Sequence, residues 1–303
     1  MIEPLTYLNG QFLPQPQVHL AFNDAGFVFG ATVTDQCRTF RHQLFRLSDH
    51  LVRFRQSCRL ARIPQPLADD ELTLIAEKLV AHNAALLGPE QDLALVMVAT
   101  PGPIAYYLGE EGGLGDGTPT LALHTFPLPF ARHAHLFREG AHLVVLDRRH
   151  LAAGSLDPHI KHRNRLHWWL ADQEAREIEA WASALLLDGE GHVTETSTAN
   201  FLLVRGGVVF SPARTAVLGG ISLLTVEELC AELGLGFEEK PLSLQDCLAA
   251  DEAMLASTPY CLAGVNSING VVLPWPGPVW QRLLAAWSRR VGIDIRQQIL
   301  AAR

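Results

Sequence analysis

Two ionisable side chains, Lys161 and Glu195, have the residue types and the surroundings that chemistry on an amino group would need. Lys161 follows the apolar Ile160 and precedes a cationic stretch, and both neighbouring cations and partial burial lower the pKa of an amine and make it a nucleophile. An amine of that kind forms Schiff bases with aldehydes. Because a single lysine is more often a solvated surface charge, this interpretation depends on the residues that accompany it.

Glu195 lies in the segment HVTETSTANFLLV, which runs from His192 to Val204 and surrounds the carboxylate with small hydroxyl side chains. Asn200 opens the apolar run at the end of this segment. A carboxylate in such a setting can keep the nitrogen of a heterocyclic ring protonated. The two side chains therefore suit complementary tasks, one as a covalent amine and the other as an anion partner.

These stretches resemble the class IV aminotransferase family of fold-type IV pyridoxal-phosphate enzymes. The family's I-K-x-x-N motif is matched from Ile160 to Asn164, and its later glutamate, serine and asparagine are matched from Val193 to Phe201. The order and the spacing of these motifs agree with the family, and the resemblance covers about residues 8–273. Further matches are Asn9-Gly10, His50 to Arg53, Asp188 to Gly191, Leu218 to Ser222 and Ala250 to Thr258.

The resemblance implies a fold that mixes α/β and α+β elements, of the D-amino acid aminotransferase type. Such a chain has two domains, a smaller N-terminal α/β domain and a larger C-terminal pseudo-barrel domain. The same resemblance implies pyridoxal 5'-phosphate as the cofactor, small amino acids, amines or oxo acids as substrates, and a homodimer.

Residues at matching positions take implied roles from the family. Lys161 would bind the cofactor aldehyde and then carry the proton between the substrate Cα and the cofactor, and Glu195 would pair with the ring nitrogen. A phosphate cup is implied as well, because a guanidinium, free helix amides and hydroxyl groups all bind phosphate oxygens. Its members would be Arg53, the backbone amides of Ile221 and Ser222, and the hydroxyls of Ser257 and Thr258.

Three departures from the family pattern concern the substrate. Thr34 stands where relatives carry an aromatic residue and Asp35 is a shortened acid, in a segment implied to form the substrate wall. Residues 100–107 lack the R-G-x-G of relatives, which leaves the recognition of a substrate carboxylate unassigned. Arg165 is assigned to the same wall, and together with His162 it resembles the K-H-x-N-R-L segment of aminodeoxychorismate lyase.

Three functions therefore stay open. The first is the transfer of an amino group between an amino acid or amine and a 2-oxo acid. The second is aminodeoxychorismate lyase activity, which releases 4-aminobenzoate and pyruvate and begins with the same proton removal at Cα. The third is a catalytically silent relative that only binds ligands, which the presence of both Lys161 and Glu195 disfavours.

Composition bounds these alternatives. With 303 residues, 48% hydrophobic residues and a net charge of −8, the chain predicts a globular protein of one large or two modest domains, and its acidic balance argues against a nucleic-acid partner. The N-terminus lacks the pattern of a signal peptide, and no apolar run approaches the ~18 residues of a membrane helix, so we expect a cytoplasmic protein without a membrane partner. Five cysteines without C-x-x-C spacing predict reduced thiols, and the histidines show no metal-ligand pattern.

The elements that must position these residues can be outlined from the sequence. Proline at alternate positions in FPLPF, from Phe126 to Phe130, predicts a linker. We therefore expect an N-terminal domain over residues 1–125, a linker over 126–140 and a C-terminal domain that carries the catalytic lysine over 141–303.

Local signals refine this outline. Asn9-Gly10 predicts a two-residue hairpin turn, and Ser48 predicts the N-cap of a helix that buries Leu51, Phe54 and Cys58. A helix that begins after Gly220 should run to about Leu233. Another helix should extend from about Asn164 to Glu179, with Leu166, Trp169, Leu170 and Gln173 close to one face. Its neighbouring tryptophans, Trp168 and Trp169, are predicted to be packing residues. The glycine-rich loop at 109–117 lacks a phosphate-binding fingerprint and is predicted to be flexible.

Overall fold

The computed structural model of the protein describes residues 3–65, 67–111, 118–152 and 154–302. Residues 112–117 of the glycine-rich loop, predicted to be flexible, lie outside these ranges. Contacts divide the chain into two compact units: the first consists of Met1–Leu128 with Ile160–Asn164, and the second of Pro129–His159 with Arg165–Arg303. The lysine segment thus belongs to the first unit, whereas the sequence placed it in the C-terminal domain.

The first unit is built on an antiparallel sheet. Among its described residues, six strands pair in the order β2-β1-β6-β5-β3-β4. The strands are β1 Leu5–Leu8, β2 Gln11–Pro14, β3 Val33–Phe40, β4 Gln43–Leu44, β5 Leu93–Thr100 and β6 Thr120–Pro127. The helices are α1 Ala25–Val28, α2 Leu47–Leu60 and α3 Asp69–Ala84.

The predicted hairpin opens this sheet. Leu8 pairs with Gln11, and both residues between them have positive φ angles, 45° at Asn9 and 94° at Gly10. Asparagine and glycine tolerate this conformation better than other residues, and the twist of such a turn matches that of the flanking strands. The prediction from Asn9-Gly10 is therefore confirmed.

Helix α2 differs from its prediction at the N-terminus. The N-cap position is Arg46, in a left-handed conformation, so Ser48 lies inside the first turn and does not cap the helix. The apolar stripe is buried as predicted, but polar side chains share the buried face. The buried residues are His50, Leu51, Arg53, Phe54, Ser57 and Cys58.

The second unit contains a sheet that closes on itself. Its strands are β7 Ala141–Arg149, β8 Ser183–Leu187, β9 Val193–Thr196, β10 Asn200–Arg205, β11 Val208–Ser211, β12 Phe237–Glu239, β13 Glu252–Ser257, β14 Cys261–Ile268 and β15 Val271–Val272. Its helices are α4 Phe130–Arg138, α5 Leu166–Ile178, α6 Ile221–Leu233, α7 Leu244–Leu248, α8 Pro278–Val291 and α9 Ile295–Ala301. In the described part of this unit, six strands pair in the ring β10-β13-β14-β7-β8-β9, and β9 returns to β10.

Residues 126–140, predicted to be a linker, are largely regular structure. Strand β6 extends to Pro127, and α4 begins at Phe130. Proline is tolerated at the end of a strand and just before the first turn of a helix, where an amide hydrogen is not required. The alternating prolines therefore mark the junction between two elements.

Helix α5 forms close to its predicted bounds, and it buries one of the two predicted packing tryptophans. Trp168, Ala171 and Ala175 are buried against β7 and β8, whereas Trp169 is 61% exposed. Ala171 and Ala175 lie one helical turn apart on this face, and their small side chains permit close packing of the helix on the sheet. The prediction of a packing role is confirmed for Trp168 and wrong for Trp169, because only the face that carries Trp168 and the two alanines lies on the sheet.

No helix in the described ranges is both long enough and apolar enough to cross a membrane.

Candidate functional site

The backbone of Lys161 is held on both sides within the first unit. Its amide donates to Oγ of Ser57 on α2 at 3.1 Å, and its carbonyl accepts from the amide of Thr34 on β3 at 2.8 Å. The amide of Arg163 also donates to the carbonyl of Thr32 at 2.9 Å, and His162 forms an isolated antiparallel β-bridge with Val33. The Lys161 side chain is half-buried. Its segment lies beside β3 and pairs with it through the bridge between His162 and Val33.

One face of α2 carries the polar residues nearest this segment. His50, Arg53 and Ser57 are spaced so that they share a helix face. Arg53 donates to Asp35 on β3 through Nε and Nη2, each at 2.8 Å, to the two different carboxylate oxygens. Asp35 Oδ1 also lies 2.7 Å from Nδ1 of His50. The result is a buried cluster of a carboxylate, a guanidinium and an imidazole.

Burial and neighbouring charges shift the pKa values of Asp35 and His50 in opposite directions. Burial alone would raise the pKa of Asp35, but the Arg53 guanidinium and then the His50 ring lower it, and the net pKa lies well below its usual range. For His50, burial has the largest effect and lowers the pKa, while Asp35 raises it less. Because an ionised carboxylate only accepts hydrogen bonds, Nδ1 of His50 must carry the hydrogen that points at Asp35.

In the second unit, Glu195 is anchored by two neutral donors. Nδ2 of Asn200 donates to its Oε2 at 3.0 Å, and the amide of Leu218 donates to its Oε1 at 3.3 Å. Nδ2 of Asn200 also lies 2.9 Å from the carbonyl of Leu218. These donors fix the plane of the carboxylate without neutralising its charge, and the side chain stays half-buried. The arrangement suits a carboxylate that pairs with a cationic partner.

The same network adjoins the start of α6. Gly220 is the N-cap residue, and the side chain of any other residue there would place Cβ 2.0 Å from Oδ1 of Asn200. Glycine therefore permits the helix to begin against Asn200. Ile221 and Ser222, which open the helix, have amides without intrahelical acceptors, and the helix dipole adds partial positive charge there.

Ser257 lies at the end of β13 and beside the segment after Glu195. Its Oγ donates to the carbonyl of Thr198 at 2.6 Å. Tyr260 is buried, which raises the pKa of its phenol above the ordinary range although hydrogen bonds with Ser257 and Thr198 lower it. Thr258, next in the chain, is half-buried.

The residues assigned to the substrate wall have structural partners. Thr34 Oγ1 donates to the carbonyl of Met97 at 3.0 Å, and Asp35 has no exposed surface. Nη2 of Arg165 donates to the carbonyl of Ser197 in the segment that follows Glu195. Burial of Asp35 favours a role in holding Arg53 and His50 over direct contact with a substrate.

The structure thus groups the predicted site residues into two sets. Lys161, Arg53, Thr34 and Asp35 belong to the first unit, where α2 and β3 surround the lysine segment. The second unit gathers the others around the pairing of Glu195 with Asn200. They are Ile221, Ser222, Ser257, Thr258 and Arg165.

Sequence reasoning assigned no role to three residues that hold the members of these sets in place, although His50 and Asn200 lie in the matched motifs. His50 and Ser57 contact Asp35 and Lys161, and Asn200 contacts Glu195. The spacing of His50, Arg53 and Ser57 on one helix face could have indicated the first two. They could not be found from hydrophobic periodicity because they are polar, and a buried helix face is usually recognised by its apolar residues.

The family model and the relatives in known proteins agree with one another. The family model described as Amino-transferase class IV matches residues 32–268. D-alanine aminotransferase of Bacillus licheniformis is 28% identical over 286 residues, which cover 93% of this chain and 95% of that protein. A putative branched-chain-amino-acid aminotransferase of Methanocaldococcus jannaschii is 28% identical over 274 residues, with 88% of each chain covered.

Solved structures agree at the level of the fold. Branched-chain amino acid aminotransferase of Escherichia coli superposes with a TM-score of 0.84 at 21% identity and covers 96% of this chain and 95% of that one. The branched-chain aminotransferase of Thermoproteus uzoniensis, with norvaline, gives 0.83 at 23% identity, with 95% of each chain covered. The Thermobaculum terrenum enzyme in its PLP-form gives 0.83 at 25% identity, with 98% and 96% covered. The predicted two-domain fold-type IV fold is confirmed.

Proposed function

Because the chain belongs to the class IV aminotransferase family, we propose that it transfers an amino group between an amino acid or amine and a 2-oxo acid, with pyridoxal 5'-phosphate as its cofactor. The observation that carries the proposal is the anchored backbone of Lys161. Hydrogen bonds from two different elements, Ser57 on α2 and Thr34 on β3, fix the segment from which the amine projects. A nucleophile that is also to act as a base must be held in this way.

The residues of each unit fit the cofactor. Bound pyridoxal 5'-phosphate supplies a protonated ring that withdraws electrons from the substrate Cα. Lys161 would hold the cofactor through its amine and, once displaced by the substrate amine, would take the proton from Cα. Glu195 would accept a hydrogen bond from the ring nitrogen and keep it protonated, and the donors Asn200 and Leu218 support this because they hold the carboxylate in a defined position.

Phosphate binding is proposed for a guanidinium and for helix amides. Arg53 would contribute a charged donor, and Ile221 and Ser222 would contribute amides at the start of α6. Ser257 fits less directly, because its hydrogen points at the carbonyl of Thr198 and its oxygen would then only accept. It can donate to a phosphate only if the hydroxyl turns away from Thr198. Thr258 has a half-buried hydroxyl that supports the same role.

The lyase alternative loses part of its support. It rested on the K-H-x-N-R-L segment and therefore on Arg165. Because Nη2 of Arg165 donates to the carbonyl of Ser197, this arginine has a structural task in the segment that follows Glu195. An arginine with that task is compatible with either reaction, and the relatives reported above, which are named as aminotransferases, favour amino transfer.

The proposal is tested by supplying amino donors to the cofactor-loaded protein without an acceptor. The donors should include D-alanine and the branched-chain amino acids, because the relatives are named for them. We expect at least one donor to convert the aldehyde form of the cofactor to its amine form in stoichiometric amount. Aminodeoxychorismate is assayed in parallel, and release of 4-aminobenzoate while every donor is inert would contradict the proposal and favour the lyase.

We extend the proposal to a homodimer. In the first unit, the segments around α1 and after β5 are joined by hydrogen bonds between Asn23 and Ile104. Both segments expose aromatic side chains, with Phe22 83%, Phe27 70% and Tyr106 75% exposed. Contiguous apolar surface of this kind marks interaction sites in soluble proteins.

A further inference from the structure

Asp35 and Arg53 form a two-point ion pair in the interior of the first unit. Nε of Arg53 donates to Oδ2 of Asp35 and Nη2 donates to Oδ1, both at 2.8 Å. Two parallel bonds between a planar guanidinium and a planar carboxylate fix both position and orientation, which one bond would not do. The direction in which the remainder of the guanidinium points is therefore set by Asp35.

The two partners differ in their access to a ligand. Asp35 is fully buried, whereas the side chain of Arg53 keeps 10% of its surface exposed. A ligand can therefore touch Arg53 but cannot touch the carboxylate behind it. An effect of Asp35 on ligand binding therefore passes through the side chains that it contacts, and Arg53 makes two bonds to it.

The support behind the pair is rigid. Asp35 is the third residue of β3, where it pairs with Met97 of β5, and β3 pairs with β4 at its far end. His50, one helical turn before Arg53, donates from Nδ1 to Oδ1 of Asp35 at 2.7 Å. The carboxylate thus has a strand beneath it and two donors from one face of α2, so it cannot shift without moving that helix.

We propose that Asp35 is a positioning residue that orients the guanidinium of Arg53 toward the phosphate of pyridoxal 5'-phosphate, with His50 as the second donor that holds Asp35 in place. This inference rests on the proposed function, because it takes Arg53 as a phosphate-binding residue. It replaces the expectation that Asp35 contacts the substrate. A carboxylate behind the arginine also prevents the guanidinium from adopting other rotamers when the phosphate leaves.

The test compares two probes, pyridoxal 5'-phosphate and pyridoxal, which lacks the phosphate. Apparent dissociation constants are measured on the full-length protein after removal of the cofactor. Asp35→Asn should raise the constant for pyridoxal 5'-phosphate by about 10-fold or more, the scale on which a group that orients a ligand-binding residue acts. The constant for pyridoxal should be nearly unchanged, because pyridoxal does not use Arg53.

Two further variants cover a failure of Asp35→Asn to fold. Asp35→Glu keeps the charge but moves the carboxylate by one methylene, and it should reduce the preference for the phosphorylated probe. His50→Gln leaves the ion pair in place and should shift the preference in the same direction by a smaller factor. Wild-type preference in each variant that folds, as judged by circular dichroism, would overturn the proposal.

A matched control is a second buried arginine–aspartate pair of this unit. Nη2 of Arg38 lies 3.8 Å from Oδ2 of Asp92, and both side chains are 2% exposed. Asp92→Asn removes a buried carboxylate beside an arginine in the same unit, so it should lower stability without changing the preference between the two probes. A loss of preference equal to that of Asp35→Asn would make the effect a general result of destabilisation and would contradict the proposal.

The double variant of Asp35 and Arg53 tests most directly whether Asp35 acts through Arg53. Because Asp35 acts through Arg53, adding Asp35→Asn to Arg53→Gln should produce no further loss of affinity for pyridoxal 5'-phosphate, whereas independent roles would multiply the two losses. A wild-type protein that binds pyridoxal 5'-phosphate strongly while Arg53→Gln has no effect would overturn this inference alone. A wild-type protein that binds neither probe would overturn the proposed function itself.

Discussion

Nδ2 of Asn200 donates a 3.0 Å hydrogen bond to Oε2 of Glu195, and the same two residues are the backbone pair through which β9 joins β10. The side-chain contact and the closure of the strand ring therefore occur at one point. Because neighbouring strands fix the backbones of Glu195 and Asn200, the Glu195 carboxylate has a defined position. A catalytic group on a strand is held more accurately than one on a loop.

Replacement of Glu195 by glutamine should reduce turnover by about 100-fold or more, the scale on which one preorganised electrostatic contact acts. Glutamine keeps the shape of the side chain but removes the charge that would hold the ring nitrogen protonated. Cofactor binding should persist through the phosphate contacts. Steady-state kinetics and the cofactor content of the purified variant provide the measurement. Glu190→Gln, an exposed glutamate before β9, is the control, and near-normal turnover of Glu195→Gln would remove this residue from the mechanism.

Acid should destabilise the protein in part through His50. Burial lowers its pKa from the ordinary value of 6.5, although Asp35 acts against this effect. The unfolded chain then binds the proton more readily than the folded one, so the free energy of unfolding falls as the pH drops below 6.5. In urea titrations between neutral and acid pH, His50→Gln should show a shallower decline than the parent.

The exposed His19 provides the matched control for that experiment, and His19→Gln is titrated in parallel with His50→Gln. Part of the slope should survive in His50→Gln, since burial also lowers the pKa values of His124 and His150. A His50→Gln variant whose stability depends on pH as steeply as that of the parent would show that His50 is protonated equally in both states.

The thiols should be unreactive in the folded protein. All five cysteines are free and buried. Burial raises the pKa to about 12 for Cys58, about 11 for Cys230 and about 12 for Cys247, so very little thiolate forms near pH 8. Ellman's reagent should react slowly with the native protein and with all five thiols in guanidinium chloride. Rapid labelling of a thiol in the native protein would contradict the burial described.

Light scattering at micromolar concentration should give the mass of a dimer. Phe22→Ser combined with Phe27→Ser should weaken it by well over 10-fold, because each phenylalanine that is buried in an interface contributes about 1.5–3 kcal/mol. Trp181, 81% exposed in the second unit, is the matched control, and Trp181→Ser should leave the dimer intact. A monomer at every concentration would rule out the homodimer.

Several features of the fold could be predicted from the sequence because one local signal determined each of them. Asn9-Gly10 specified a turn, and Gly220 followed by an apolar stretch specified the start of α6. The face of α5 could not be predicted in this way. Its side chains are apolar on both sides, and the face that packs on the sheet carries Trp168 with the small Ala171 and Ala175, which leaves Trp169 exposed.

The candidate site shows the same limit. Motifs identified Lys161 and Glu195, because each has a distinctive sequence around it. Their partners Ser57 and Asn200 act through hydrogen bonds that span 104 and 5 positions. The longer of these contacts arises from tertiary packing of the lysine segment, and a short-range pattern contains no information about it. Asp35 was assigned by position to a substrate wall, and only its burial indicates the role behind Arg53.

The central claim is that Lys161 is the lysine that bears the cofactor, and the sequence allows an unusually clean test. The chain contains three lysines, Lys78, Lys161 and Lys240. Nζ of Lys78 lies 4.3 Å from the ring centre of Phe12, and Nζ of Lys240 lies 4.0 Å from that of Phe210, so each has a structural contact. Lys78→Ala and Lys240→Ala are therefore matched controls for Lys161→Ala.

The most direct measurement is borohydride reduction of the cofactor-loaded protein followed by peptide mass spectrometry. We expect the reduced cofactor to be attached to the peptide with Lys161. Lys161→Ala should carry no attached cofactor and lose turnover, and the other two variants should behave like the parent. Attachment to the peptide with Lys78 or Lys240, or full turnover of Lys161→Ala, would contradict the account.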